Sequence, residues 1–362
     1  MAMKSITAMA MAMPFLAFSS IASADTRLPM SIGGQTLAES KAGRTEWRYQ
    51  WPAVYFESRF KGPDITVDLD DPSNIFNLLV DGKAIAQLEK PGSRRVTFHD
   101  LGSGSHTIRL EKRSETQYAT GAFRGFFVPL KTNALPAPIY PRKIEFIGDS
   151  GTVGYGNMSA YTKCTPEEIF ATTDSQQGPG VVAAKHFGAA YRINAFSGLG
   201  LVRNYDGHEH PKYHMPMLHV RAVFDDPRAD LSAWAPQIIV VAIGGNDFST
   251  DLHGDETWKT RADLLNDYVA TYVRLVKELR QKNPNAFFLI AGPPAERQEY
   301  ADAVTAAYEA VKASGETRVD HVTQVKTDST GCNGHPTTRN DAKMAQVYID
   351  YIESHPDLWL AQ

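Results

Sequence analysis

The chain has 362 residues, a formal net charge of -4 and 43% hydrophobic residues, enough for one large domain or two smaller ones. A mildly acidic balance with no basic run leaves no electrostatic footprint for nucleic acid. Beyond the amino-terminal segment, no stretch reaches the roughly 20 apolar residues of a membrane span.

Met1 to Ala24 reads as a secretory signal. Lys4 is the charged start, an apolar run extends to Phe18, and Ala22-Ser23-Ala24 is a small-residue cleavage site before Asp25. The alternative, a buried first helix, is disfavoured by the polar, turn-rich sequence that follows at once. No cysteine lies near the cleavage point to carry a lipid, so the expected protein is secreted or periplasmic, without a membrane anchor. Export places Cys164 and Cys332, the two cysteines of the chain, in an oxidising compartment where a disulfide can persist.

Residues 25–130 carry short β-branched or aromatic runs, among them Val54-Tyr55-Phe56, Ile65-Thr66-Val67, Phe76-Asn77-Leu78-Leu79-Val80 and Thr107-Ile108-Arg109-Leu110. Turn residues separate them, and Asp81-Gly82 after Leu79-Val80 is a hairpin signal. The spacing predicts an antiparallel β-sandwich, jelly-roll-like in outline. With no clear aromatic platform in its sequence, this domain is expected to be a structural partner rather than a sugar-binding module. Residues 131–141, with Pro136, Pro138 and Pro141, read as a stiff, extended connector.

From residue 142 to 362 strands alternate with helices. Strands are expected at Lys143 to Ile147, Tyr191 to Ala195, Gln237 to Ile243, Ala286 to Ala291 and Arg318 to Thr323. Between the third and fourth, Leu264, Tyr268, Tyr272, Leu275 and Leu279 recur at helical steps and form one apolar stripe. Met344, Tyr348 and Ile352 mark a last helix, with Thr338 and Asp341 as a capping pair at its start. Such alternation predicts a three-layer α/β/α domain built on a parallel sheet.

Four short elements fall where that fold gathers ligands, at strand carboxyl ends. Gly148-Asp149-Ser150 follows the first strand, so the Ser150 hydroxyl can stand clear on a sharp glycine-rich turn. Ser197-Gly198-Leu199-Gly200 follows the second, and Gly244-Gly245-Asn246-Asp247 the third. His335-Pro336 lies in the loop before the final helix. Taken singly each is an ordinary turn or a structural histidine; their joint placement is what carries information.

In order and residues these blocks resemble the SGNH, or GDS-type, hydrolase superfamily. The likeness extends to carbohydrate esterase family 2, on Ser197 to Gly207, Asn246-Asp247-Phe248-Ser249 and Gly331-Cys332-Asn333-Gly334-His335-Pro336, together with an amino-terminal sandwich. It covers essentially the whole mature chain. The resemblance implies removal of acetyl groups from sugars and from polysaccharides such as xylan and mannan, so the expected partner is an acetylated carbohydrate. One position departs from the superfamily pattern: an Asp usually stands three residues before the His, and here that residue is Cys332. The family resembled includes members that work with a Ser-His dyad.

The chemistry follows from the residue types. Ester cleavage needs a nucleophile, a base and donors aimed at the developing oxyanion. Ser150 is the candidate nucleophile and His335 the candidate base, its neutral form favoured by the helix amino terminus just beyond it. The backbone N–H groups of Ser150 and Gly198 and the amide of Asn246 are the candidate oxyanion donors. Asp149 and Asp247, next to a Ser or Asn in a tight turn, are expected to be structural and to bind nearby backbone N–H groups. The His208-Glu209-His210-Pro211-Lys212-Tyr213-His214 segment lacks a partner cluster, so no metal is expected, and the serine route needs no cofactor.

If Ser150 and His335 meet, the loops bearing Cys164 and Cys332 are drawn to one rim, and a Cys164–Cys332 disulfide is expected. His335 then needs an acceptor for Nδ1–H. The main-chain carbonyl of Asn333 is expected to serve, ahead of the Asp328 carboxylate, which would need a chain reversal. A lipid-type esterase or thioesterase, and a carbohydrate-binding protein without turnover, are the competing readings. The first wants a long acyl groove that the sequence does not display, and the intact Ser150, Asn246 and His335 argue against the second.

Overall fold

The computed structural model describes residues 25–41, 43–227 and 234–360. The expected signal segment, Met1 to Ala24, lies outside the described residues.

The amino-terminal half is two antiparallel sheets face to face. One runs in the order Leu37–Lys41, Arg44–Tyr49, Gly121–Val128, Ile65–Asp71, Gly92–Phe98. The other runs Ala134–Leu135, Tyr55–Lys61, Ser105–Lys112, Ile75–Val80, Lys83–Glu89. Val67 and Leu69 from the first face Phe56, Leu78, Ile108 and Leu110 from the second in one apolar core. Phe56 stacks on Phe123 with ring centroids 4.2 Å apart. The strand Lys83–Glu89 is mostly exposed at its sheet edge, and its charged ends discourage edge pairing with another chain. The Asp81-Gly82 hairpin forms as expected, with φ of 51° and 76° at its two central residues.

The connector expected over residues 131–141 is not extended throughout, since Lys131–Asn133 form a 3-10 turn at its start. Ala134 and Leu135 pair with Phe60 and Arg59 as an added edge strand. Both residues keep a backbone N–H for the ladder, whereas Pro136, Pro138 and Pro141 cannot donate and run on outside it.

The second half holds a five-stranded parallel sheet in the order Ala190–Ala195, Lys143–Gly148, Ile238–Ala242, Phe287–Gly292, Val319–Thr323. All five strands lie within about a residue of their expected places. Their side chains alternate between two apolar layers. Ile239, Val241, Phe288 and Ile290 pack with Tyr268, Tyr272, Leu275 and Val304 of the helices Arg261–Lys282 and Gln298–Ala313. Ile238, Val240 and Leu289 pack with Val181, Ala345, Tyr348 and Ile352 of Pro179–His186 and Thr338–Ser354. Burial on both faces explains why these strands read as unbroken apolar runs.

The helix Arg261–Lys282 begins with a capping box: the Thr260 hydroxyl accepts the Asp263 N–H at 3.2 Å, and the Asp263 carboxylate accepts the Thr260 N–H at 2.9 Å. The pair expected at the last helix does not form. Thr337 is the N-cap there, without a side-chain cap bond, and the buried Asp341 carboxylate instead accepts from Asn157 Nδ2 at 2.8 Å.

The two halves share a dense seam. Trp51 of the sandwich half, fully buried, donates from Nε1 to the Arg221 carbonyl at 2.5 Å and meets Phe224 edge-on at 4.6 Å. Arg109 donates to the Tyr191 hydroxyl at 2.7 Å, and Gln35 to the His219 carbonyl at 2.6 Å. Among the described residues no helix is long and apolar enough to cross a membrane.

Candidate active site

Sheet register brings the sequence blocks together. Gly148 is level with Ala195 on one side and with Ala242 on the other. Two residues beyond each strand partner lie Ser150, Ser197 and Gly244, so three loops leave the same edge side by side. The strand order reverses about Lys143–Gly148, the switch point where open α/β sheets leave a crevice. A cleft of about 840 Å³ opens there, lined by Ser150, Gly198, Asn246 and His335 among others.

Ser150 is the first residue of a single helical turn, Ser150–Val153, capped by Asp149. The Asp149 carboxylate accepts the Gly151 N–H at 3.1 Å, the turn-forming role expected of it. Asp247 departs from the local role expected of it: it accepts three backbone N–H groups of a different loop, from Leu201, Val202 and Arg203, at 2.8–2.9 Å. It thereby ties the Gly198 loop to the Asn246 loop. Asn246 is buried, and its Nδ2 donates to the Leu199 carbonyl at 2.9 Å, which engages one amide hydrogen and leaves the other.

His335 Nε2 lies 2.8 Å from Ser150 Oγ. Its Nδ1 lies 2.9 Å from the carbonyl of Cys332. This corrects the expected acceptor, Asn333, by one residue. Asn333 sits in the left-handed region at φ 52° inside the turn Cys332–Gly334. The turn closes with His335 N–H donating to the same Cys332 oxygen at 3.0 Å, so that carbonyl, rather than the Asn333 one, lies under the ring. The Asn333 carbonyl, like that of Cys332 but less so, acts to raise the pKa of the ring. Asp328 takes no part in orienting the ring: its carboxylate binds Arg339 at 3.0 Å, Thr330 at 3.1 Å and Asn340.

Burial lowers the His335 pKa, and the nearby Arg297 charge lowers it further. The Cys332 carbonyl and the Asp149 carboxylate oppose the shift. The ring is thus kept in its neutral, proton-accepting form at neutral pH.

The loop carrying His335 is fastened to the loop after Ser150. Cys332 N–H donates to the Gly156 carbonyl at 3.4 Å, Asn333 N–H to that of Thr162 at 2.6 Å, and Thr338 N–H to that of Asn157 at 2.9 Å. Gly156 has φ 55°, and a Cβ there would come within 2.3 Å of the Cys332 Cβ, so only glycine lets the loops touch. The Cys164–Cys332 disulfide is present, with Cα atoms 5.5 Å apart.

The cleft also holds residues that local sequence does not disclose. Gln117 reaches it from the sandwich half, beside Glu209, His210, Tyr205 and Arg297. His210, from the histidine-rich segment, contacts the Ser197 carbonyl at 3.1 Å through Nε2 and the Tyr118 hydroxyl through Nδ1. Among the described residues no group of three or more His, Cys, Asp or Glu side chains is arranged to hold a metal ion.

Residues 146–356 match the model of the GDSL-like Lipase/Acylhydrolase family, and residues 40–138 match that of Carbohydrate esterase 2 N-terminal. An acetylxylan esterase / glucomannan deacetylase of Cellvibrio japonicus (strain Ueda107) is 41% identical over 344 residues, covering 94% of this chain and 96% of that protein. A solved carbohydrate esterase, described as displaying divergent catalytic and non-catalytic binding functions at its active site, superposes with a TM-score of 0.87 at 40% identity, over 92% of this chain and 100% of that one. A family two carbohydrate esterase from Clostridium thermocellum, in complex with cellohexaose, superposes with a TM-score of 0.77 at 26% identity, over 91% of this chain and 100% of that one. Fold and site are those of a carboxylic ester hydrolase of the SGNH type. Within that class the chain belongs to carbohydrate esterase family 2.

Proposed function

We propose that the protein is an exported serine esterase that removes O-acetyl groups from xylan, mannan or related oligosaccharides through a Ser150–His335 dyad. The observation that carries this reading is the bond of His335 Nε2 to Ser150 Oγ at 2.8 Å, while Nδ1 is held by a main-chain carbonyl. In the mechanism, His335 takes the Ser150 proton as Oγ adds to the acetyl carbonyl. The resulting oxyanion is met by the N–H of Ser150, the N–H of Gly198 and the remaining amide hydrogen of Asn246. Neither backbone N–H is used by another hydrogen bond among the described residues. His335 then returns the proton to the departing sugar oxygen, which leaves as a hydroxyl, and acetyl-Ser150 remains. Water, deprotonated by the same ring, releases acetate and restores the serine.

A neutral carbonyl behind the histidine fixes its tautomer and orientation, though it stabilises the transient imidazolium less than a carboxylate would. The site compensates with donors on rigid loops, which act where charge develops. The test is acetate release from acetylated xylan, glucomannan and simple acetylated sugars, with Ser150→Ala as control. Acetyl esters are expected to be cleaved far faster than decanoyl esters. Faster cleavage of the decanoyl series would replace this reading with a lipid-type one.

A further inference from the structure

Ser197, immediately before Gly198, is held on every polar group by residues outside its own loop. Its N–H donates to Glu115 Oε1 at 2.8 Å and its hydroxyl to Glu115 Oε2 at 2.6 Å. Its carbonyl accepts from Gln117 Nε2 at 2.8 Å and meets His210 Nε2 at 3.1 Å. Glu115 and Gln117 belong to the sandwich half, in the segment between the strands Ser105–Lys112 and Gly121–Val128.

The Ser197 carbonyl and the Gly198 N–H are the two ends of one planar trans peptide, so they point in opposite directions. Fixing the carbonyl therefore fixes the line along which Gly198 N–H donates. Gly198 itself supplies little restraint, since at φ 83° it has the freedom of glycine. Its Cβ position is also closed, because a methyl group there would fall 2.5 Å from Glu209 Oε2 and 2.9 Å from His210 Nε2. The direction of the N–H has to be imposed from outside.

The segment that imposes it is firmly based. Ser114 and Thr116 both donate to Asn74 Oδ1, at 3.1 Å and 2.7 Å. Arg113 donates to the Thr173 carbonyl at 3.2 Å. The buried Lys112 ammonium donates to the carbonyls of Gln50 and Trp51 at 2.7 Å and 3.0 Å. Burial pushes the Glu115 carboxyl up, and the two Ser197 bonds and the Lys112 charge pull it back. An ionised Glu115 accepts one Ser197 donor at each of its two oxygens.

We infer that Glu115 and Gln117 are positioning residues through which the sandwich half aligns the Gly198 N–H with the oxyanion, a role that rests on the reading of Gly198 as an oxyanion donor. The sandwich half is thus part of the machinery of the hydrolase half. Its contribution to oxyanion alignment passes through the Ser197–Gly198 peptide plane.

The test compares two esters that differ at the atom the donors address, 4-nitrophenyl acetate and 4-nitrophenyl thionoacetate, whose sulfur is a poor hydrogen-bond acceptor. Wild-type protein should strongly prefer the oxygen ester. Glu115→Gln places an amide N–H against a Ser197 donor, and Gln117→Ala removes one restraint on the carbonyl. Each variant should lose roughly 10- to 100-fold in kcat on the oxygen ester, below or near the loss expected for deleting a donor outright. KM should change little, and the loss on the thionoester should be much smaller, so the oxygen-to-sulfur preference collapses. A purely structural defect lowers both esters equally and leaves that preference intact. Equal losses, or wild-type rates, in variants with wild-type circular dichroism would overturn the inference. Should Glu115→Gln fail to fold, Gln117→Ala decides alone. Ser150→Ala run in parallel separates the two levels: activity surviving in it defeats the site reading itself, whereas an inactive Ser150→Ala beside an unaffected Glu115→Gln defeats only the positioning role.

Discussion

The carbonyl oxygen of Cys332 stands 2.9 Å from Nδ1 of His335, and the sulfur of the same residue is bonded to Cys164. One residue therefore orients the candidate base through its backbone and is itself fixed through its side chain. Reducing the disulfide, or replacing both cysteines by serine, should lower the free energy of unfolding by about 2–4 kcal/mol. It should also lower kcat several-fold at temperatures where the protein stays folded, with KM nearly unchanged. Denaturant titration and ester hydrolysis of the two forms check this. An unaltered kcat would show that the bonds to Gly156 and Thr162 suffice to hold the turn.

Ser150→Ala and His335→Ala should each lower ester hydrolysis by orders of magnitude without changing the thermal midpoint appreciably. Because a nucleophile and its base act as one unit, the double variant should be little worse than either single one. Multiplicative losses in initial-rate measurements would mean that the two residues act separately.

Asn246→Ala removes one of three candidate oxyanion donors and should cost roughly 10²–10³ in kcat. The Leu199 carbonyl loses its partner as well, so the variant has to be shown to be folded before its rate is read. Wild-type turnover in folded Asn246→Ala would take this side chain out of the mechanism.

Asp328→Asn discriminates a dyad from a triad. With Asp328 bound to Arg339, Thr330 and Asn340, turnover should change by about a few-fold at most, against the ~10⁴-fold loss that follows amidation of a true triad acid. A loss near the larger figure would reinstate the carboxylate.

The pH profile of kcat/KM should have its acid limb below the ordinary histidine value of 6.5, because burial disfavours the charged ring. Activity requires the neutral ring, so it falls as pH drops through that lowered pKa. Arg297 adds to the lowering, and Arg297→Ala should move the limb upward, reducing rates on the acid side while sparing the plateau at higher pH. A limb that stays in place or moves down in the variant would contradict this account of the ring's electrostatics.

The site residues that could be read from sequence are those attached to strand ends. Ser150, Gly198 and Asn246 follow apolar strands within a few residues, and parallel register alone lines them up. The acceptor for His335 was misplaced by one residue because it depends on the left-handed turn at Asn333, and no local pattern distinguishes the two carbonyls. The capping pair at the last helix failed for a related reason, since Asp341 is drawn away by Asn157, remote in sequence. Glu115 and Gln117 lie beyond strand-end reasoning altogether: they sit between two sandwich strands and meet Ser197 only once both halves are assembled.

The seam between the halves bears on how such a chain can be inherited. An accessory module joined by a free tether can be lost, duplicated or exchanged between genes without harm to its neighbour. Here a break at the prolines would bare Trp51 and leave the carbonyls of Arg221 and His219 without their donors across the seam. Recombination at that point would hand on a damaged hydrolase. The seam thus makes the two parts one inherited unit in physical terms, and substitutions at Trp51, Gln35 or Arg109 are expected to cost stability unless the facing Arg221, His219 or Tyr191 contact is kept.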